Sequence, residues 1–91
     1  MKLKAGKWTI EPDFFIGELR EVSVVLPDGY QMMVCEVRPE DLHEMRERAK
    51  DLRGIPTWCA LLTVNSMLGF HPAADRDYTV RVRYMPPLRE A

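Results

Sequence analysis

Apolar and polar positions alternate over the last long stretch of the chain. Tyr78, Val80, Val82 and Tyr84 are separated by Thr79, Arg81 and Arg83. Period-two alternation predicts a β-strand with one face in a core and the other facing water or a partner. Leu19–Leu26 predicts a second strand, with Val22, Val24 and Leu26 on one face. Pro27-Asp28-Gly29 then predicts a turn, because Pro presets φ and Gly supplies a positive one. Tyr30–Val37 reads as the return strand of an antiparallel hairpin. Trp58–Val64 is a continuous apolar run rich in β-formers, broken by Asn65-Ser66 and resumed by Met67–His71. Asn tolerates the positive φ of a short hairpin loop, so these two runs also pair. Pro72–Asp77 is a second break, leading into the alternating strand.

One helix interrupts the strands. Leu42, Met45, Ala49 and Leu52 recur at spacings of three, four and three, a stripe that would lie on a sheet. Pro39 suits a first helical position, and Glu40 and Asp41 set negative charge against the positive end of the helix dipole. His43, Glu44, Arg46, Glu47, Arg48 and Lys50 fall mostly off the stripe, and Gly54 and Pro56 are expected to stop the helix. Upstream, Lys7–Ile10 predicts a short strand and Glu11–Phe15 a bend with one aromatic tucked in. The expected fold is α+β but mainly β: a small antiparallel β-sandwich or barrel-like sheet of about six strands with one helix packed on it. Residues 1–91 make a single β-rich domain, with residues 1–7 a loose end carrying three lysines and residues 85–91 an extended tail.

Composition adds exclusions. An apolar fraction of 46% and a charged fraction of 30% belong to an ordinary globular domain. A net charge of −1 gives no global electrostatic attraction to nucleic acid or anionic membrane. No apolar run approaches the ~18 residues of a spanning helix, and the basic start has no apolar stretch behind it to make a secretory signal. Cys35 and Cys59 both fall in expected strands. With two cysteines and no export signal, buried free thiols in a reducing compartment are the simpler expectation than a bridge.

Candidate chemistry is sparse. Cys35, His43, Cys59 and His71 form a ligand set zinc accepts, but no two are closely spaced and they come from separate elements, so no metal is expected. The acidic residues cluster in turns and on the outer helix face, where solvent leaves them ordinary general acids at best. Ser23 falls in a strand and Ser66 in a turn, neither with a partnered histidine nearby, and the glycines are scattered singly rather than gathered in a phosphate loop. No catalytic residue and no cofactor is expected. Arg81 and Arg83 share one face of the last strand, either as a solvated face or as a basic stripe for an acidic partner. Tyr84-Met85-Pro86-Pro87-Leu88 is more suggestive: two prolines forbid continued strand pairing and leave an apolar tail for a neighbouring chain to cover.

Several segments, taken in order, carry a family likeness. Glu11-Pro12-Asp13-Phe14 precedes a Val-rich strand, and Arg38-Pro39-Glu40-Asp41-Leu42 opens the helix. Gly54-Ile55-Pro56-Thr57-Trp58-Cys59-Ala60-Leu61 and Pro72-Ala73-Ala74-Asp75-Arg76-Asp77-Tyr78-Thr79-Val80-Arg81-Val82-Arg83-Tyr84 follow. Over residues 9–87 the chain resembles the β-domain of tailed-bacteriophage head–tail adaptor (connector) proteins, in which segments of the type G-x-P-x-x-Y-A-L and P-x-P-D-x-x-Y-T-L-x-V-x-Y recur together. The resemblance implies a non-enzymatic virion protein of the neck, made in the host cytoplasm. It would assemble as a ring or accessory subunit with copies of itself and with portal, adaptor or tail-side proteins. DNA would pass through the lumen without sequence-specific binding, and no membrane is involved. Arg81, Arg83, Tyr84, Met85, Pro86, Pro87 and Leu88 are then the expected subunit-interface residues. Adaptors carry a portal-docking helical bundle that the matched segments lack, so a head-closure, tail-side or accessory component is expected. Arg38 stands where a capping Ser or Thr is typical, and Gly69-Phe70-His71 replaces a more regular apolar strand. The alternative from another class is a small phage or bacterial binding module that inhibits or regulates a host complex.

Overall fold

The computed structural model describes residues 1–62 and 67–86. Alternation builds the two longest strands, β3 (Glu18–Val25) and β9 (Tyr78–Met85), which pair antiparallel along most of their length. A bulge between Leu19 and Glu21 bends β3 near its start. Val22 and Val24 of β3 and Tyr78 and Val80 of β9 are buried on the inner face. The turn at residues 27–29 forms as expected, with Gly29 at φ 88°, and returns the chain as β4 (Gln31–Glu36) against β3.

Six further strands complete the described fold: β1 (Lys2–Leu3), β2 (Thr9–Ile10), β5 (Arg53–Gly54), β6 (Trp58–Leu61), β7 (Leu68–His71) and β8 (Ala73–Ala74). The main sheet has seven strands in the order β1-β9-β3-β4-β6-β7-β2, and its two ends, β1 and β2, return to contact each other. The result is a nearly closed, mostly antiparallel, barrel-like sheet. The exception is β4 with β6, which run parallel. Parallel neighbours need a crossover connection, and the helix α1 (Pro39–Arg48) supplies it. β5 and β8 form a separate parallel pair. β8 is also held by hydrogen bonds from Gly6 N to Ala74 O (2.7 Å) and from Ala74 N to Lys7 O (3.0 Å).

The helix packs outside the sheet on β6 and β7. Its buried anchor is Leu42, which lies over Gly69, the partner of Ala60 in the β6–β7 ladder. A Cβ at Gly69 would stand 2.7 Å from both Leu42 Cδ2 and Leu62 Cδ1, so the close approach requires a residue without one. α1 is shorter than its sequence stripe implies: it ends at Arg48 rather than near Gly54, and Leu52 is 51% exposed. The competing interaction is strand pairing, since Arg53 and Gly54 are drawn into β5 beside Ala73 and Ala74.

Three other expectations change. Residues 1–7 are not a loose end: Lys2 and Leu3 pair with Thr79 and Tyr78, and Leu3 is fully buried. One leucine among lysines suffices because the barrel needs a short strand to close against β2. The break at Pro72–Asp77 contains β8. Of the two cysteines, both free, Cys59 is buried and Cys35 is exposed, because Met32 and Val34 take the inner face of β4 and leave Met33 and Cys35 outside. The bend at Glu11–Phe15 behaves as predicted, with Phe14 packed inward and Phe15 exposed. The Asn65-Ser66 turn lies outside the described residues.

Candidate interaction surface

β9 carries most of the residues that the sequence singles out, and its alternation divides them. Arg81 and Arg83 are exposed on the outer face. Tyr84 is on the inner side, where its ring stacks on Phe14 with centroids 4.5 Å apart and planes at 13°. Tyr84 is therefore half-buried and packs its ring against the core. Met85 and Pro86 are exposed at the end of the strand, whereas Pro87 and Leu88 lie outside the described residues.

The outer face continues across the sheet in register. Arg81 is opposite Ser23, and Ser23 is opposite Met33 on β4. Arg83 is opposite Glu21, with Arg83 Nη1 3.3 Å from Glu21 Oε2. Ser23 is buried beneath these longer neighbours. Glu21, Ser23, Gln31, Arg81, Val82 and Arg83 line a shallow depression of about 280 Å³. Further along, Cys35 is paired with Trp58. Met33 and Trp58 are 54% and 36% exposed. Arg, Met and Trp are enriched in protein–protein contacts relative to the rest of a surface. The sequence reading missed Met33 and Trp58 as surface residues; the period of two through Met32, Met33, Val34 and Cys35 was the available signal for the first.

The main chain of β9 adds a second kind of recognition. Val80 exchanges hydrogen bonds with Met1: Val80 N donates to Met1 O (2.7 Å) and the N-terminal amine donates to Val80 O (3.1 Å). β1 pairs no further along β9 than Thr79. Because main-chain groups alternate in direction along an antiparallel strand, Arg81 and Arg83 turn theirs to β3, while Val82 and Tyr84 turn theirs to the open side. Among the described residues no strand lies there.

A separate cleft of about 260 Å³ lies between the first loop and the helix, lined by Trp8, His43, Arg46, Glu47 and Lys50. The Arg46 guanidinium sits 3.9 Å from the centre of the Trp8 ring, and His43 meets that ring edge-on at 6.2 Å. His71 is buried, and its Nδ1 has no hydrogen-bond partner among the described residues. Burial, and then the positive charge of Arg46, hold the His71 imidazole below its ordinary value. Burial also pushes the Cys59 thiol up to about 12, which makes it a poor nucleophile.

Cys35, His43, Cys59 and His71 are not brought together, and among the described residues no group of three or more potential metal ligands converges. No helix among them is long and apolar enough to cross a membrane. Compared with known proteins, the chain matches no family model and no curated protein.

Proposed function

We propose that the chain is a non-enzymatic structural protein of the tailed-phage neck, acting as a ring or accessory subunit that packs against copies of itself and neighbouring neck proteins. The observation that carries this reading is the β3–β9 ribbon. Its last strand bears the Tyr-Thr-Val-Arg-Val-Arg-Tyr segment of the adaptor-like pattern, and it presents exposed arginines beside a strand edge left open among the described residues. Open edges template pairing with another chain, and natural proteins leave them where association is wanted or blunt them where it is not. The mixed Arg, Met and Trp outer face supports a contact role as well. The assigned task needs no reacting group, only geometry repeated between copies.

Quantitative mass spectrometry of purified particles of the encoding phage tests the reading. A low, fixed copy number per particle is expected, as for any component of the single portal vertex. Absence from particles, or a copy number in the hundreds as for capsid or tail-tube subunits, would overturn it.

A further inference from the structure

The geometry points to one specific contact between copies: the open edge of β9 in one chain pairs antiparallel with the open edge of β3 in the next. This deepens the assembly reading above and rests on it only in taking a second copy as the partner.

The ribbon has two edges, and both lack a further strand at the same end, near Met85 and Glu18, among the described residues. On the β9 side, pairing with β1 stops at Thr79 and Met1 reaches only Val80. Among the described residues, no strand pairs with the amides and carbonyls of Val82 and Tyr84 on that side. On the β3 side, pairing with β4 begins at Val22 opposite Val34. After Val34 the β4 chain turns its bonds to the β6 side, with Cys35 N on Thr57 O (2.9 Å) and Val37 N on Cys59 O (2.8 Å), before leaving as the helix. Glu18–Glu21 therefore has β9 on one side and, among the described residues, no strand on the other. The molecule is correspondingly long, 44 × 31 × 19 Å.

Charge selects how two such ribbons meet. The β9 edge carries Arg81 and Arg83 on its outer face, and Arg81 has no ion-pair partner among the described residues. The β3 edge carries Glu18, Arg20 and Glu21, with Arg20 Nη2 3.6 Å from Glu18 Oε2 and Glu21 beside Arg83 of its own chain. Joining β9 to β3 sets Arg81 and Arg83 beside a mixed edge of two glutamates and one arginine. Joining β9 to β9 does not. A register placing Val82 opposite itself sets Arg81 against Arg83, and one placing Val82 opposite Tyr84 sets Arg83 against Arg83. The next register brings Pro86, which has no amide, opposite Val82. Like charges directly opposite on a sheet are destabilising. Two different edges make a heterologous contact, the kind that closes into a ring or runs on as a filament. Copies in the same orientation bring a β9 beside a β3 of opposite direction, as the ribbon itself already does.

Sedimentation velocity of the full chain over a range of concentrations reads the contact. Val82→Pro removes an amide that points to the open side and leaves the β3-facing bonds of Arg81 and Arg83 in place, a position where edge strands tolerate proline. Arg81→Glu changes only an exposed side chain. The wild type is expected to associate beyond a dimer and Val82→Pro to stay monomeric. Arg81→Glu should raise the association midpoint about tenfold or more. Association of Val82→Pro or of Arg81→Glu at the wild-type midpoint, or a wild type monomeric throughout, would overturn the edge contact. The two readings separate cleanly. A neck protein that assembles regardless of these variants defeats the contact alone, whereas edge-dependent assembly of a protein absent from particles defeats the neck assignment alone.

Discussion

Gly69 occupies the point of closest approach between helix and sheet, and its missing Cβ is what lets Leu42 seat. Adding a methyl there forces two leucine side chains to move by several tenths of an ångström in a layer already closed. Gly69→Ala is expected to lower stability by about 1–3 kcal/mol, read as a lower urea midpoint with unchanged slope. His71 offers a pH test at the same scale. Its folded-state value lies below the ordinary 6.5, so the unfolded chain takes up a proton first as pH falls. The stability from keeping His71 neutral is complete above that ordinary value and is lost as pH drops from it toward the folded value. Between about pH 7.5 and about pH 5.5, wild type should lose more stability than His71→Gln, and equal losses would contradict the burial argument. The cysteines differ in the same way. Cys35 should react with a thiol reagent in the native protein and Cys59 only after unfolding, giving one fast equivalent per chain.

Elements defined by their own periodicity were legible, and those defined by their neighbours were not. β3, β9 and the turn at residues 27–29 follow from alternation and local turn chemistry. The helix start follows from Pro39 and the acidic first turn. The two-residue strands β1, β5 and β8 have no period to detect, because each exists only through pairing with a distant segment. The helix end was lost for the same reason, since β5 takes Arg53 and Gly54 away from it. On the candidate surface, Arg81 and Arg83 were readable as an outward pair, while Tyr84 shares the phase of Val80 and Val82 and was expected in the interface only as the start of the proline-terminated tail. Trp58 was hidden because a continuous apolar run does not reveal which residues face out. β1 makes the sharpest test of neighbour-defined structure. Leu3→Ala is expected to cost about 2–5 kcal/mol, far more than a substitution in a frayed terminus, and denaturant titration distinguishes the two.

At the scale of the whole molecule, closure and openness sit at opposite ends of the same two strands. Near Tyr78 and Val25 the β3–β9 ribbon is flanked by β1 and β4 and forms part of the barrel wall. Near Met85 and Glu18 it has each strand for the other's partner and nothing beyond among the described residues. Folding therefore uses one end, and the proposed edge contact would use the other, which predicts an alternating pattern of amide exchange along β9. In the monomer, Val80 is protected by Met1, and Arg81 and Arg83 are protected by β3, while Val82 and Tyr84 exchange quickly despite lying between protected neighbours. When copies join through the edge, Val82 and Tyr84 should slow and the other three should change little. Residue-resolved exchange by NMR below and above the association midpoint makes the comparison. Slow exchange at Val82 and Tyr84 in the monomer would mean that the edge is already covered. Fast exchange persisting in the assembled state would mean that the copies meet through another surface, with the Met33–Trp58 outer face next in line.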